Sequence, residues 1–174
     1  MAGNNRKSLK FPKFPKNFLT AGVALLTLIV GFCTGSYYTT HKQSQLLTSG
    51  TVTRIIDADT VELNNKTSVR LNGVSCPEKN EKFSKEAIDY LTQTALNQKV
   101  TLDYQPNYET DAWSRTVAFV FIKDTHLNEQ LIRQGYCTAT IYKKRAKLKY
   151  QDEFLTAQDQ AKQEKLGRWK WHGK

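Results

Sequence analysis

Short runs of apolar residues, rich in β-branched side chains and separated by turn residues, recur from residue 50 onward and predict β-strands. The runs occupy residues 52–56, 60–63, 68–74, 99–104 and 116–122. The run at 116–122 is almost entirely apolar, which suits a strand buried on both faces. The turn between the second and third runs contains Asn64 and Asn65, and asparagine tolerates positive φ. We therefore expect five strands, with a hairpin joining the second to the third.

Three other stretches have the 3.6-residue apolar period of amphipathic helices. They cover residues 84–97, 127–134 and 147–166. Ser84 is a candidate N-cap for the first helix, and Gly135 follows the second at the position where glycine favours a helix end. Three strands, a helix, two strands and two closing helices predict an α+β fold. This order is that of the OB-fold, a five-stranded Greek-key β-barrel, here with three helices.

The longest apolar stretch precedes the strands. No charged residue lies between Asn17 and Thr40, and about 20 residues at ~1.5 Å rise cross the hydrocarbon core of a bilayer. We expect residues 18–40 to form a single transmembrane anchor, with the basic segment 1–17 in the cytoplasm. A polar linker at 41–49 then leads to an extracytoplasmic domain at 50–171. The alternative is a signal peptide that is cleaved to release a secreted protein.

The net charge of the chain bears on which partners it can bind. The chain has 26 Lys and Arg residues against 16 Asp and Glu residues, a net charge of +10. Five of the basic residues lie within residues 1–17, which contain no acid, so the remainder is only mildly basic. That balance permits a nucleic-acid partner, because lysine and arginine replace counterions on phosphates. A solvated lysine-rich surface explains the same balance equally well.

Charged side chains stand at the ends of the predicted strands between residues 57 and 78. Asp57 and Asp59 are two residues apart, so in an extended strand their carboxylates would share a face and suit a hard cation such as Ca²⁺. Arg70 carries a guanidinium group, whose fork matches a phosphate. Glu78 follows Pro77 and can accept a proton. A polar turn, an exposed strand arginine and a helix-start acid are the simpler interpretations of the same residues.

Five motifs, in order across residues 50–171, together resemble the staphylococcal nuclease-like (thermonuclease) domain. They are Asp57-Ala58-Asp59-Thr60-Val61, then Arg70-Leu71-Asn72-Gly73-Val74 with Pro77-Glu78, then Asp111-Ala112-Trp113-Ser114-Arg115, then Leu127-Asn128-Glu129 with Arg133-Gln134-Gly135, and finally residues 157–169. The resemblance implies an OB-fold barrel with three helices. It also implies Ca²⁺-dependent hydrolysis of phosphodiester bonds in DNA and RNA.

The resemblance implies roles for individual residues as well. Asp59 stands at a calcium-ligand position, Arg70 and Arg115 at phosphate-binding positions, and Glu78 at the position of the base that activates water. A phosphoryl transition state spreads negative charge over its oxygens, so positioned cations supply much of the stabilisation. We therefore expect a calcium-dependent nuclease that acts on nucleic acid outside the cytoplasm.

One departure from the family pattern affects the metal. Ser75 stands where the family has a second calcium-binding aspartate, and a neutral hydroxyl is a poorer ligand for a hard dication. The backbone carbonyl of Cys76 and the carboxylate of Asp57 are the remaining candidates near it. Ca²⁺ should bind weakly, and the alternative function is a catalytically degenerate OB-fold module that binds nucleic acid or protein.

Two further expectations concern the later part of the chain. The resemblance places Cys76 beside Cys137, and in an oxidising compartment such a pair can form a disulfide; two buried thiols are the alternative. Tyr142 is a candidate for stacking on a base, and Lys143 and Lys144 extend a basic cluster next to it. An ordinary solvated lysine run is an equally common explanation of that cluster.

Overall fold

The computed structural model of this protein describes residues 17–44, 46–144 and 146–171. The chain divides into two units, residues 1–46 and 47–174. In the first unit, helix α1 (Asn17–Ser44) contains the whole of the predicted apolar segment. Apart from Asn17, the predicted basic segment lies outside the described residues. Across the described ranges, no helix combines the length and the apolar character needed to cross a membrane, so the predicted transmembrane anchor at 18–40 is not supported.

The second unit is built from short strands and helices. In chain order they are β1 (Ser49–Asp57), β2 (Thr60–Leu63), β3 (Ser68–Leu71), β4 (Val74–Ser75), α2 (Ser84–Ala95), β5 (Lys99–Asp103), β6 (Thr116–Ile122), β7 (Thr125–His126), α3 (Leu127–Arg133), β8 (Thr138–Ala139), α4 (Gln151–Gln163) and a 3-10 helix (Gly167–Trp171).

Five of these strands close into a barrel in the order β3-β2-β1-β5-β6, because β3 also pairs with β6. Neighbouring strands in this order pair antiparallel. The closing pair, β3 with β6, is parallel and places Arg70 opposite Val117. Closure brings the end of β3 beside the beginning of β6, two segments that are more than forty residues apart in sequence. The predicted α+β fold with a closed five-stranded barrel and helices is confirmed.

Apolar side chains on the strands fill the interior of the barrel. Val61, Leu63, Val69 and Leu71, on the adjacent strands β2 and β3, are fully buried, together with Phe119 of β6. Burial of each such side chain contributes about 1.5–3 kcal/mol. Helices α2, α3 and α4 add buried leucine, isoleucine and phenylalanine side chains to the same core.

The predicted strand at 68–74 is two strands. Strand β3 ends at Leu71, the chain turns through Asn72 and Gly73, and β4 then pairs with β8 instead of continuing in the barrel. Gly73 has φ +75°, and a Cβ there would lie 2.6 Å from Cε2 of Phe154 in α4. Only glycine combines this backbone conformation with so close a helix. The period-2 pattern could not reveal the break, because apolar residues continue on both sides of it.

Several local predictions were wrong. Ser84 is the first residue of α2, and the N-cap is Phe83, whose φ is +72°. The positive φ in the β2–β3 turn belongs to Lys66. Helix α4 starts at Gln151 instead of residue 147, and β6 is fully buried only at residues 118–120. Sequence period alone does not specify where an element ends to within one or two residues.

Candidate active site

Arg70 and Asp59 form an ion pair at one end of the barrel. Asp59 lies in the turn between β1 and β2, and Thr60 at the start of β2 is the cross-strand partner of Arg70. Arg70 Nη1 pairs with Asp59 Oδ1, and the Thr60 hydroxyl donates to the same oxygen at 2.9 Å. Asp59 is only 7% exposed, so its charge requires a partner, and the guanidinium supplies it. The Arg70 side chain remains 32% exposed.

Asp57 does not share this arrangement. It is the last residue of β1, and its Oδ1 accepts a hydrogen bond from the N–H of Ala58 at 2.8 Å. The chain turns at residues 58–59, so the extended backbone that would place Asp57 and Asp59 on one face is absent. The expectation of two carboxylates on one strand face is therefore wrong.

Arg115, immediately before β6, is held within a tight loop by Asp111. Asp111 Oδ1 accepts hydrogen bonds from the backbone N–H groups of Trp113 at 2.9 Å and Arg115 at 3.0 Å, and Oδ2 accepts from Arg115 Nε at 2.7 Å. Burial alone would raise the pKa of Asp111, but the hydrogen bonds from Arg115 and Trp113 outweigh it and hold that pKa below its ordinary value. The carboxylate is therefore ionised at neutral pH.

A cleft of about 420 Å³ is lined by Arg70 and by Asp111, the aspartate that holds Arg115. Arg70 and Asn72 line it from β3 and the following turn, and Tyr108, Trp113 and Tyr142 line it from loops. Trp113 is 78% exposed, although its ring centroid lies 5.3 Å from Cζ of Arg115. A cationic edge with aromatic walls suits a nucleotide, whose phosphate is anionic and whose base has a flat apolar face.

Several other predicted site residues are not among those that line this cleft. Lys143 and Lys144 follow Tyr142 and are exposed. Glu78 is exposed in the segment after β4, where its backbone N–H donates to Oε2 of Glu81 at 2.9 Å. Among the residues that the structure describes, the cleft lining includes Arg70 and Tyr142 but neither Glu78 nor Arg115.

A disulfide joins Cys76 to Cys137, the pair named from the family resemblance. The bond continues the pairing of β4 with β8, in which Ser75 faces Thr138 and the Thr138 hydroxyl donates to the Ser75 carbonyl at 3.3 Å. Cys137 is fully buried. The covalent link therefore fixes the backbone one residue before Pro77 and two residues before Glu78.

The oxygen ligands near Asp59 are too few for a tightly held calcium ion. Ca²⁺ takes about six to eight oxygen ligands, usually with several carboxylates. Here Asp59 Oδ1 is already engaged by Arg70 and Thr60, and Ser75 contributes only a neutral, exposed side chain. Within the described ranges, no group of three or more His, Cys, Asp or Glu side chains is placed to hold a metal ion. These residues do not fit a high-affinity calcium site.

Sequence reasoning assigned no role to two residues that organise the site, Asp111 and Asn128. Asn128, at the start of α3, is fully buried; its Oδ1 accepts from the N–H of Val120 at 2.9 Å, and its Nδ2 donates to the carbonyl of Asn72 at 2.8 Å. It therefore ties the turn after Arg70 to β6. The signal in the sequence was an asparagine next to the apolar positions of a predicted helix, because a buried side-chain amide needs hydrogen-bond partners.

Comparison with known proteins identifies the family of this chain. The sequence profile described as "Staphylococcal nuclease homologue" matches residues 68–171. A thermonuclease from Staphylococcus hyicus is 34% identical over 127 residues, covering 68% of this chain and 73% of that protein. A thermonuclease from Staphylococcus intermedius is 28% identical over 169 residues, covering 90% and 98%. Endonuclease YncB from Bacillus subtilis is 26% identical over 146 residues, covering 78% and 68%. The chain belongs to the staphylococcal nuclease family.

Proposed function

We propose that this protein is a nuclease that hydrolyses phosphodiester bonds of DNA or RNA. The observation that carries the proposal is a pair of arginines, one on β3 and one immediately before the neighbouring strand β6, each held by an aspartate. Arg70 and Asp111 line a cleft that also has aromatic walls. Similarity to proteins named thermonuclease and endonuclease supports the same reaction class.

In this proposal Arg70 and Arg115 bind the non-bridging oxygens of the phosphate undergoing attack. Their charges offset the negative charge that accumulates in the transition state, and they are already positioned by Asp59 and Asp111 before substrate arrives. Removal of one such charge-assisted contact costs about 3 kcal/mol, or roughly a hundredfold in rate. Glu78 accepts the proton of the attacking water, a role that rests on the family resemblance.

Dependence of cleavage on Ca²⁺ is a prediction that the cleavage assay described below tests. The family resemblance favours it, but the ligands around Asp59 and Ser75 are poor, so we assign no step to the ion. We expect any stimulation by Ca²⁺ to require a concentration near or above that of weak extracellular sites, about 10⁻³ M.

We also propose that the protein works outside the cytoplasm. The Cys76–Cys137 disulfide supports this, because disulfides persist in oxidising compartments and are rare where glutathione keeps thiols reduced. Separation of cell fractions, followed by thiol labelling of the isolated protein, tests the location. Reduced Cys76 and Cys137 in the cytosolic fraction would contradict it.

A binding module without turnover is the second candidate, and Ser75 is the observation that favours it. The same cleft would hold nucleic acid, but the site would lack the cation that the family resemblance implies. In this case binding would persist while cleavage was absent.

The deciding experiment follows cleavage of single-stranded and duplex oligonucleotides by the full chain in Ca²⁺ and in EDTA. Arg70→Ala, Arg115→Ala and Glu78→Gln should each lower the rate roughly a hundredfold. Arg54→Ala is the matched control, because Arg54 is an exposed β1 arginine paired with Glu62 away from the cleft lining. Cleavage that survives all three site substitutions would reject the mechanism, and binding without cleavage by the wild type would favour the binding module.

A further inference from the structure

One carboxylate holds Arg115 through both its backbone and its side chain. Asp111 accepts the Arg115 backbone N–H on Oδ1 and the Arg115 Nε on Oδ2. The N–H of Asp111 donates in turn to the Arg115 carbonyl at 3.1 Å, and the N–H of Ser114 donates to the Asp111 carbonyl at 3.1 Å. Residues 111–115 thus form a closed loop in which the carboxylate and the guanidinium face each other.

Three features distinguish this contact from an ion pair at an open surface. The Asp111 side chain is 15% exposed and that of Arg115 is 30% exposed, so water screens the contact less than at an open surface. The Trp113 ring also contacts the guanidinium, with 5.3 Å from Cζ to the ring centroid. Asp111 has a third hydrogen bond, from the Trp113 N–H, which fixes the carboxylate itself.

We propose that Asp111 is a positioning residue, which orients the Arg115 guanidinium so that its Nη groups meet the substrate phosphate. This inference rests on the proposed nuclease function. An arginine side chain has many rotamers, and a hydrogen bond at Nε removes rotation about the end of the chain while directing the opposite edge of the guanidinium outward. A group placed in advance costs less to order when the transition state forms.

The positioning role and a plain counter-ion role predict opposite effects of removing the charge. If Asp111 only offsets the charge of Arg115, its neutralisation makes the site more positive, so nucleic acid should bind more tightly and react at least as fast. If Asp111 positions Arg115, the rate at saturation should fall although binding is unchanged or tighter.

Asp111→Asn is the informative substitution, because the amide oxygen can still accept the two backbone N–H groups while the charge is lost. In the full chain we expect kcat to fall roughly a hundredfold, the effect of a small misplacement of a catalytic group, with KM unchanged or lowered. In an Arg115→Ala background, Asp111→Asn should change kcat by no more than about twofold, because its partner is gone. Asp124→Asn, at an exposed acid in the β6–β7 turn, should behave as wild type.

A second measurement needs no variant. Exchange of the Arg115 Nε–H with water, followed by NMR in the full chain, should be slower than that of Arg54. Arg54 Nε also donates to a carboxylate, but at 3.3 Å and from a side chain that is 60% exposed. Equal or faster exchange at Arg115 would show that Asp111 does not hold it.

The kinetic outcomes separate the inference from the function on which it rests. A wild-type chain that cleaves while Asp111→Asn retains full kcat, or loses it equally with and without Arg115, overturns the positioning role alone. A wild-type chain that cleaves nothing overturns the nuclease function and the role of Asp111 in it. A kcat loss that depends on Arg115, together with slow Nε–H exchange, supports the proposal.

Discussion

Loss of the Cys76–Cys137 disulfide should lower the stability of the second unit by about 4 kcal/mol. The two cysteines are 61 residues apart, so the bond closes a long loop in the unfolded chain. In the chain-entropy description, a loop of that length removes about 14 cal/mol/K, or about 4 kcal/mol at 25 °C. For a unit of this size we expect the melting temperature to fall by roughly 15 °C.

The assay is denaturant unfolding of the full chain, followed by tryptophan fluorescence, with and without a reducing agent. Cys33→Ala is the working background, because Cys33 is a free, exposed thiol that would otherwise allow intermolecular bonds. Cys76→Ala with Cys137→Ala should match the reduced protein to within about 1–2 kcal/mol, the extra loss being the sulfur removed from the buried position of Cys137.

The result that would refute this reasoning is a reduced protein whose unfolding free energy lies within about 1 kcal/mol of the oxidised one. That outcome would mean that the reduced unfolded chain is already compact around this loop, or that the bond is absent in solution. Mass spectrometry of the alkylated protein distinguishes the two explanations.

Three other substitutions test the interior and the cation ligands. His126, whose two ring nitrogens have no hydrogen-bond partner in the described structure, stacks on Phe121 at 4.3 Å, and burial lowers its pKa to about 4 despite the attraction of Asp103. Between pH 6.5 and 4 the unfolded chain therefore binds a proton at this histidine that the folded chain does not bind. The free energy of unfolding falls as the pH falls through this range, by up to about 3 kcal/mol. His126→Phe should remove that part of the pH dependence, measured by denaturant unfolding at a series of pH values. Asn128→Ala should cost about 3 kcal/mol in the same assay, because it leaves a buried N–H and a buried carbonyl unpaired. Ser75→Asp should raise Ca²⁺ affinity at least about tenfold by titration calorimetry, since it adds a carboxylate at the position where the family resemblance implies a calcium-binding aspartate.

Each of these predictions has a result that contradicts it. An unchanged pH profile in His126→Phe would mean that the histidine finds a partner, with Glu153 as the nearest candidate at 4.0 Å from Nδ1. An Asn128→Ala protein of wild-type stability would show that water replaces the amide. Identical Ca²⁺ titrations for Ser75→Asp and wild type would place the cation away from residue 75.

Several residues of the candidate site could be predicted from the sequence, because binding a phosphate or a cation requires particular side-chain types. The guanidinium groups of Arg70 and Arg115 and the carboxylate of Asp59 were identified from motif order. Their partners were not, because the sequence gives no distance between a turn residue and a side chain on another strand. The Arg70–Asp59 ion pair depends on the register of β2 against β3, and the Asp111 contacts depend on the fold of a five-residue loop.

The sequence by itself determined the order of the five barrel strands and of α2, α3 and α4, the apolar faces that make the core, and the candidate residues Asp59, Arg70 and Arg115. These follow from side-chain period and type, which are local properties. Only the tertiary structure decided the break at Gly73, where α4 approaches the turn, and the role of Asn128, which joins segments 56 residues apart. It also decided that Asp59 faces an arginine instead of Asp57. The reason is the same in each case: period fixes which face a residue occupies, whereas barrel closure and packing fix what lies opposite it.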